Sequence, residues 1–109
     1  MTTVVPELTK YTFDEMIGSA SLPVVVEFWA EWCPPCRTIA PVLESIAAGQ
    51  DPSVQIFKVN VDEHPDLAAR YEVFSIPTLL VFREGALVRR MVGARGRSQL
   101  VREIEESIR

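Results

Sequence analysis

Apolar positions along this chain change period several times, and each change marks an element. Thr12-x-x-Glu15 has the form of a capping box, and Phe13, Met16 and Ile17 supply one apolar face for a short helix ending near Gly18. A weak strand from Val4 to Leu8 precedes it, and Pro6 restricts that strand to an edge or a bulge. Val24 to Ala30 is continuously apolar apart from Glu27, the pattern of a strand buried on both faces and interrupted by one carboxylate. Ile39, Val42, Leu43 and Ile46 then recur at helical spacing until Gly49, with Pro41 inside the helix as a source of a kink. Val54 to Asp62 alternates as a strand does, and Pro65 suits the first position of a short helix running to about Tyr71. Thr78 to Phe82 and Ala86 to Val92 flank the turn Arg83-Glu84-Gly85 and predict an antiparallel hairpin. A closing helix, capped near Ser98, carries Leu100, Val101, Ile104 and Ile108 on one side. The order βαβαβ followed by αββα requires a mixed sheet with helices on both faces.

Composition narrows the class. The 109 residues are 48% hydrophobic and 24% charged, which is ordinary for one globular domain spanning 1–109. Fifteen acidic and eleven basic residues give a net charge of −4, scattered without blocks, so nothing resembles a nucleic-acid footprint. The start, Met1-Thr2-Thr3-Val4-Val5-Pro6-Glu7, has neither the basic residues nor the apolar stretch of a signal peptide, and no run approaches the roughly 20 apolar residues of a membrane helix. A cytoplasmic location is the expectation.

The chemistry is concentrated in Trp32-Cys33-Pro34-Pro35-Cys36, which holds both cysteines between an apolar strand and a helical pattern. A thiolate at a helix N-terminus lies near free backbone N–H groups and the positive end of the helix dipole, and both favour the nucleophilic form. A second sulfur two residues on can resolve the mixed disulfide that the first one makes. A zinc site needs about four ligands, and the chain offers two Cys and one His. A structural disulfide across so short a loop adds little stability and is improbable in a reducing cytosol. Redox catalysis is favoured over both, with Cys33 as nucleophile, just ahead of the helix and the more exposed, and Cys36 as resolving thiol.

Taken in order, Phe28-Trp29-Ala30-Glu31-Trp32-Cys33, Pro35-Cys36, Ile39-Ala40-Pro41, Lys58-Val59-Asn60-Val61-Asp62, Ile76-Pro77-Thr78 and Val92-Gly93-Ala94 make the chain resemble the thioredoxin family along nearly all its length. The resemblance implies a central five-stranded mixed β-sheet flanked by four α-helices, a cis peptide before Pro77, and general protein disulfide reductase activity through a redox-active Cys33–Cys36 disulfide, with no bound cofactor and no metal. It also implies disulfide-containing protein substrates, re-reduction by a thioredoxin reductase, a monomer, and no nucleic-acid or membrane partner. Glu27 occupies the family's buried-acid position, usually aspartate. Its apolar neighbours predict a raised pKa and a part in proton exchange with Cys36, tuned by Lys58. Trp32, Pro34, Pro35, Ile76, Gly85 and Gly93 correspond to the substrate-binding surface, with Pro77 in the loop against the cysteines. The family's dipeptide between the cysteines is Gly-Pro. Pro34 replaces the glycine and removes one N–H near the Cys33 sulfur. Two rival readings remain on the sequence: a disulfide oxidant or isomerase, and a binding module using the same apolar surface. His64, before Pro65, reads as a helix-cap surface residue.

Overall fold

A computed structural model describes residues 5–49 and 53–109. Helix α1 (Phe13–Ser19) is followed by β1 (Val24–Trp29), α2 (Pro34–Ala47), β2 (Gln55–Asn60), α3 (Pro65–Arg70), the hairpin β3 (Thr78–Arg83) and β4 (Ala86–Val92), and α4 (Arg97–Ser107). The strands form one sheet in the order β2-β1-β3-β4. β1 runs parallel to β2 and antiparallel to β3, and β3 pairs antiparallel with β4.

Among the described residues the sheet therefore has four strands, and the five-stranded expectation is corrected. Of the anticipated strand from Val4 to Leu8, Val4 lies outside the described residues, and the rest makes a single parallel bridge, Glu7 to Lys58. Two hydrogen bonds hold it, Leu8 N–H to Lys58 O at 2.8 Å and Lys58 N–H to Pro6 O at 3.0 Å. Pro6 accepts but has no N–H to donate, so the ladder does not extend through it.

β1 occupies the interior of the sheet, which explains its unbroken apolar run. Alternate side chains feed two cores. Val25 joins Ile56, Leu79, Val81 and Met91 beneath Ile39 and Leu43 of α2 and Leu100 and Ile104 of α4. Val24, Val26 and Phe28 join Phe57, Leu80 and Phe82 against Phe13 and Ile17 of α1 and Leu67 of α3. Phe13 meets Phe82 edge-on with ring centroids 5.9 Å apart. Each fully buried side chain of this size contributes about 1.5–3 kcal/mol, as an upper estimate, so the sheet sandwiched between helix pairs is the main stabilising unit.

Local signals fared unevenly. Thr12 takes the N-cap position of α1 but its side chain makes no cap bond; its Oγ1 instead accepts from Thr9 N–H at 3.0 Å, so the capping box is not formed. The closing helix is capped by Gly96, and Ser98 lies inside it. α2 continues unbroken through Pro41. The hairpin turn shrinks to Glu84-Gly85, both left-handed with φ of 52° and 83°, because two-residue connections of that hand match the strand twist. The pairing shifts between Val81 and Phe82, whose partners are Arg89 and Leu87, so Val88 is an extra residue on β4.

Candidate functional site

The cysteines follow the carboxyl end of β1, where the chain turns directly into α2. Cys33 N–H closes that turn onto Ala30 O at 3.2 Å. Cys33 is the N-cap of α2, in extended backbone, and Pro34 and Pro35 fill the first two helical positions. A missing N–H is harmless there, because those donors have no partner within the helix anyway. Cys36, the third helical residue, supplies the cap contact: its N–H donates to Cys33 Sγ at 3.2 Å. Pro34 is thus not at the position whose N–H caps the sulfur, since a cap side chain accepts from the second or third residue. Arg37 braces the turn by donating Nε and Nη2 to Glu31 O at 3.0 and 2.5 Å.

Cys33 and Cys36 are joined as a disulfide, with Cα atoms 5.3 Å apart. Each is only 2% exposed, which corrects the expectation that Cys33 is the more open of the two. They form a buried cluster with Ala30, against which Trp29, Val61 and Ile76 pack. The helix terminus distinguishes the two sulfurs: Cys33 Sγ accepts the Cys36 N–H at the N-terminal end of α2, where the helix dipole is positive.

Glu27 lies two residues before Trp29 on the β1 face covered by α2, and is 3% exposed. Burial pushes its carboxyl up from 4.5 to about 7, while the charge of Lys58 pulls it back. Lys58 is its register partner on β2, and the ammonium sits 4.9 Å from the centroid of the Trp29 ring. Glu27 Oε2 and Trp29 Nε1 have no hydrogen-bond partner among the described residues, so no donor offsets the desolvation at that oxygen.

The opposite wall of the site is the loop before β3. The Ile76–Pro77 peptide is cis, Pro77 is buried, and Pro77 O accepts Gly93 N–H at 2.8 Å. Gly93 has φ of 90°, a conformation that favours glycine. Trp32 is 64% exposed yet fixed, its Nε1 donating to Asp62 Oδ2 at 2.8 Å. Asn60 Oδ1 accepts the N–H groups of Asp62 and Glu63 at 2.9 and 3.3 Å and so shapes the turn that presents Asp62.

The structure thus brings Cys33, Cys36, Trp32, Pro34, Pro35, Ile76, Pro77 and Gly93 to one end of the sheet, with Glu27 and Lys58 behind the cysteines. Gly85 is not among them. It lies in the β3–β4 turn, at the other end of a strand that starts beside Pro77, roughly 20 Å of extended chain away. His64 is the N-cap of α3, half-buried, with no side-chain cap bond. Phe74 was not anticipated. It is 88% exposed and, with Trp32, Val61, Val73, Ser75 and Ile76, lines a groove of about 390 Å³ beside the cysteines. A lone aromatic in a loop has no periodicity to betray it.

A covered disulfide at a helix N-cap, a buried carboxyl with raised pKa behind it and an apolar groove beside it define a thiol–disulfide oxidoreductase site. Among the described residues no cluster of three or more His, Cys, Asp or Glu is arranged to hold a metal ion. Nor, among them, is any helix long and apolar enough to cross a membrane.

Comparison with known proteins places the class more narrowly. The thioredoxin family model matches residues 4–106, and the chain belongs to that family. It is 41% identical over 102 residues to a thioredoxin of Mycobacterium bovis, covering 94% of this chain and 88% of that one. With thioredoxin 1 of Synechococcus elongatus it shares 40% over 105 residues, 96% and 98% of the two chains. It is also 41% identical over 102 residues to a bifunctional thioredoxin reductase/thioredoxin of Mycobacterium leprae, matching 94% of this chain and 22% of that longer protein. The chain is a thioredoxin-type protein whose redox-active disulfide carries out dithiol–disulfide exchange.

Proposed function

We propose that residues 1–109 act as one domain and one monomeric electron carrier, a general protein disulfide reductase with Cys33 attacking and Cys36 resolving. The observation that carries the assignment is the 3.2 Å hydrogen bond from Cys36 N–H to Cys33 Sγ at the start of α2, which favours the thiolate at position 33. In the reduced protein the Cys33 thiolate attacks one sulfur of a substrate disulfide, and the other substrate sulfur leaves as a thiolate. Cys36 then gives up its proton and attacks Cys33 Sγ, forming the intramolecular disulfide and releasing the substrate as a dithiol. Glu27 accepts that proton, directly or through water, and its carboxyl is suited to the task because its pKa of about 7 lies near the working pH. Lys58 tunes that value. The exposed face made by Trp32, Pro34, Pro35, Ile76, Gly93 and Phe74 receives an extended substrate segment, the backbone at Ile76 pairing with it.

The oxidised protein needs two electrons to act again, and a thioredoxin reductase in the cytoplasm is the donor we assign. The fused relative of Mycobacterium leprae, named for both activities, supports that pairing.

Substrate trapping tests the roles. Cys36→Ser accumulates an intermolecular mixed disulfide with a protein substrate, visible as a reducible band on a non-reducing gel, whereas Cys33→Ser accumulates none. Equal trapping by both variants refutes the assignment. Activity that survives Cys33→Ser points to a binding module instead.

A further inference from the structure

Two carbonyls at the end of β4 are gripped by an arginine that plays no part in the chemistry above. Arg95 Nη1 donates to Gly93 O at 2.9 Å and to Val92 O at 3.4 Å. Its Nε lies 2.5 Å from Glu103 Oε2 on α4, an ion pair held by charge and proximity, because the two atoms are not aligned for a hydrogen bond. Glu103 Oε1 is met in turn by Arg89 Nη2 at 3.3 Å, and Arg89 Nη1 is 3.5 Å from Glu106 Oε1. The Arg95 and Glu103 side chains are 18% and 14% exposed, so solvent screens this pair less than an ordinary surface pair.

Gly93 is therefore held at both ends of its residue. Its N–H is bonded to Pro77 O at 2.8 Å and its carbonyl to Arg95. Glycine at φ of 90° has many other conformations open to it, so this geometry needs outside bonds to persist. A guanidinium reaches a carboxylate with one nitrogen and a carbonyl with another, which a single ammonium cannot do in the same fixed fork.

We infer that Arg95 is a positioning residue for the reaction. Anchored on Glu103, it fixes the Gly93 carbonyl and the loop that borders Ile76 and Pro77, and so preorganises the edge on which an extended substrate docks. The inference rests on the docking reading given above. Arg95 touches no reacting atom, so its effect falls on substrate capture and not on sulfur chemistry. Preorganisation of this kind lowers the ordering cost of association.

The test compares Arg95→Met, Arg95→Lys and Glu103→Gln with the unaltered chain on two substrates, a disulfide-cyclised peptide and dithiobis(nitrobenzoate), which is too small to span the loop. Arg95→Met is expected to raise KM for the peptide about fivefold while changing kcat by less than about twofold. Arg95→Lys and Glu103→Gln give intermediate KM values, and they carry the test should Arg95→Met not fold. The rate with the small disulfide and the redox equilibrium against glutathione stay unchanged in all three. Unchanged KM in the folded variants, or a parallel loss on both substrates, overturns the inference. Trp32→Ala serves as the docking control. If it too leaves the peptide KM unchanged, the docking reading itself has failed, whereas a raised KM for Trp32→Ala alone isolates the failure to Arg95.

Discussion

Replacing Glu27 by glutamine removes a charge from the middle of the central strand with little change of shape. The carboxyl titrates at 4.5 when unperturbed and at about 7 in the folded protein, because burial raises it more than Lys58 lowers it. The folded state thus holds the proton more tightly than the unfolded chain does. Below pH 4.5 both states are protonated and the charge costs nothing. Between 4.5 and about 7 the unfolded chain has released a proton that the folded one keeps, so stability falls as pH rises, and above that window the loss is complete. The shift corresponds to roughly 3 kcal/mol, a large share of a small domain's total. Glutamine does not titrate, and whatever its amide costs when buried is independent of pH. Urea unfolding of the oxidised protein across pH 4 to 9 should therefore show wild type losing about 3 kcal/mol relative to Glu27→Gln, with the change centred between the two pKa values. A stability difference that stays flat over that range refutes both the perturbed carboxyl and its cause.

The same group predicts a kinetic profile: resolution of the Cys33 mixed disulfide slows about tenfold per pH unit below about 7 in wild type and loses that limb in Glu27→Gln, as stopped-flow measurement of product thiol would show. Phe74→Ser should raise KM about fivefold for a disulfide peptide with a bulky apolar neighbour, since roughly 1 kcal/mol of apolar contact is removed, and should leave a glycine-flanked peptide unaffected. Equal effects on both peptides would place Phe74 outside the groove's recognition. Glu84 is held at φ of 52° at the first position of the hairpin turn, so Glu84→Asn should stabilise the fold by about 0.5–1 kcal/mol and raise Tm by about 3–5 °C, with no change in activity. An unchanged or lower Tm contradicts the turn assignment.

Much of this was legible in the chain because the signals were redundant. β1 was readable since five of its six residues are apolar and only a strand buried on both faces tolerates that run; the same run made Glu27 conspicuous. The Cys33–Cys36 unit is readable because only Ala30, Glu31 and Trp32 separate the buried strand from the cap and the Pro-initiated helix. Failures arose where one residue's preference met tertiary context. Thr12 has the composition of a cap, but Thr9 offers it a nearer partner. The apolar residues from Val4 to Leu8 suggest a first strand, but Pro6 cannot continue its backbone pairing. Resemblance puts Gly85 on the docking surface, whereas the hairpin sends it to the far end of the sheet. Phe74 and Arg95 carry no signal in the sequence, because an exposed loop aromatic and a loop arginine gain meaning only from what lies across the fold from them.

The site draws on four separated stretches of chain, yet all of them leave the same end of one sheet. β1 delivers the cysteines, β2 delivers Asn60 and Asp62, β3 begins at the Ile76–Pro77 loop, and β4 ends at Gly93. Parallel β1 and β2 both present their carboxyl ends there, while antiparallel β3 presents its start and β4 its finish. The mixed sheet is what allows two turns and two loop edges to converge, and the two cores supply the rigidity. A carboxyl buried at roughly 3 kcal/mol against the fold is tolerable only in such a place, at the centre of a strand whose neighbours on both sides are fixed. Moving that carboxyl to an exposed strand position would relieve the fold, but it would also return its pKa to the ordinary carboxylate range, too acidic to take a proton from a thiol near neutral pH. The destabilisation and the proposed proton transfer thus have one cause, the desolvation of Glu27.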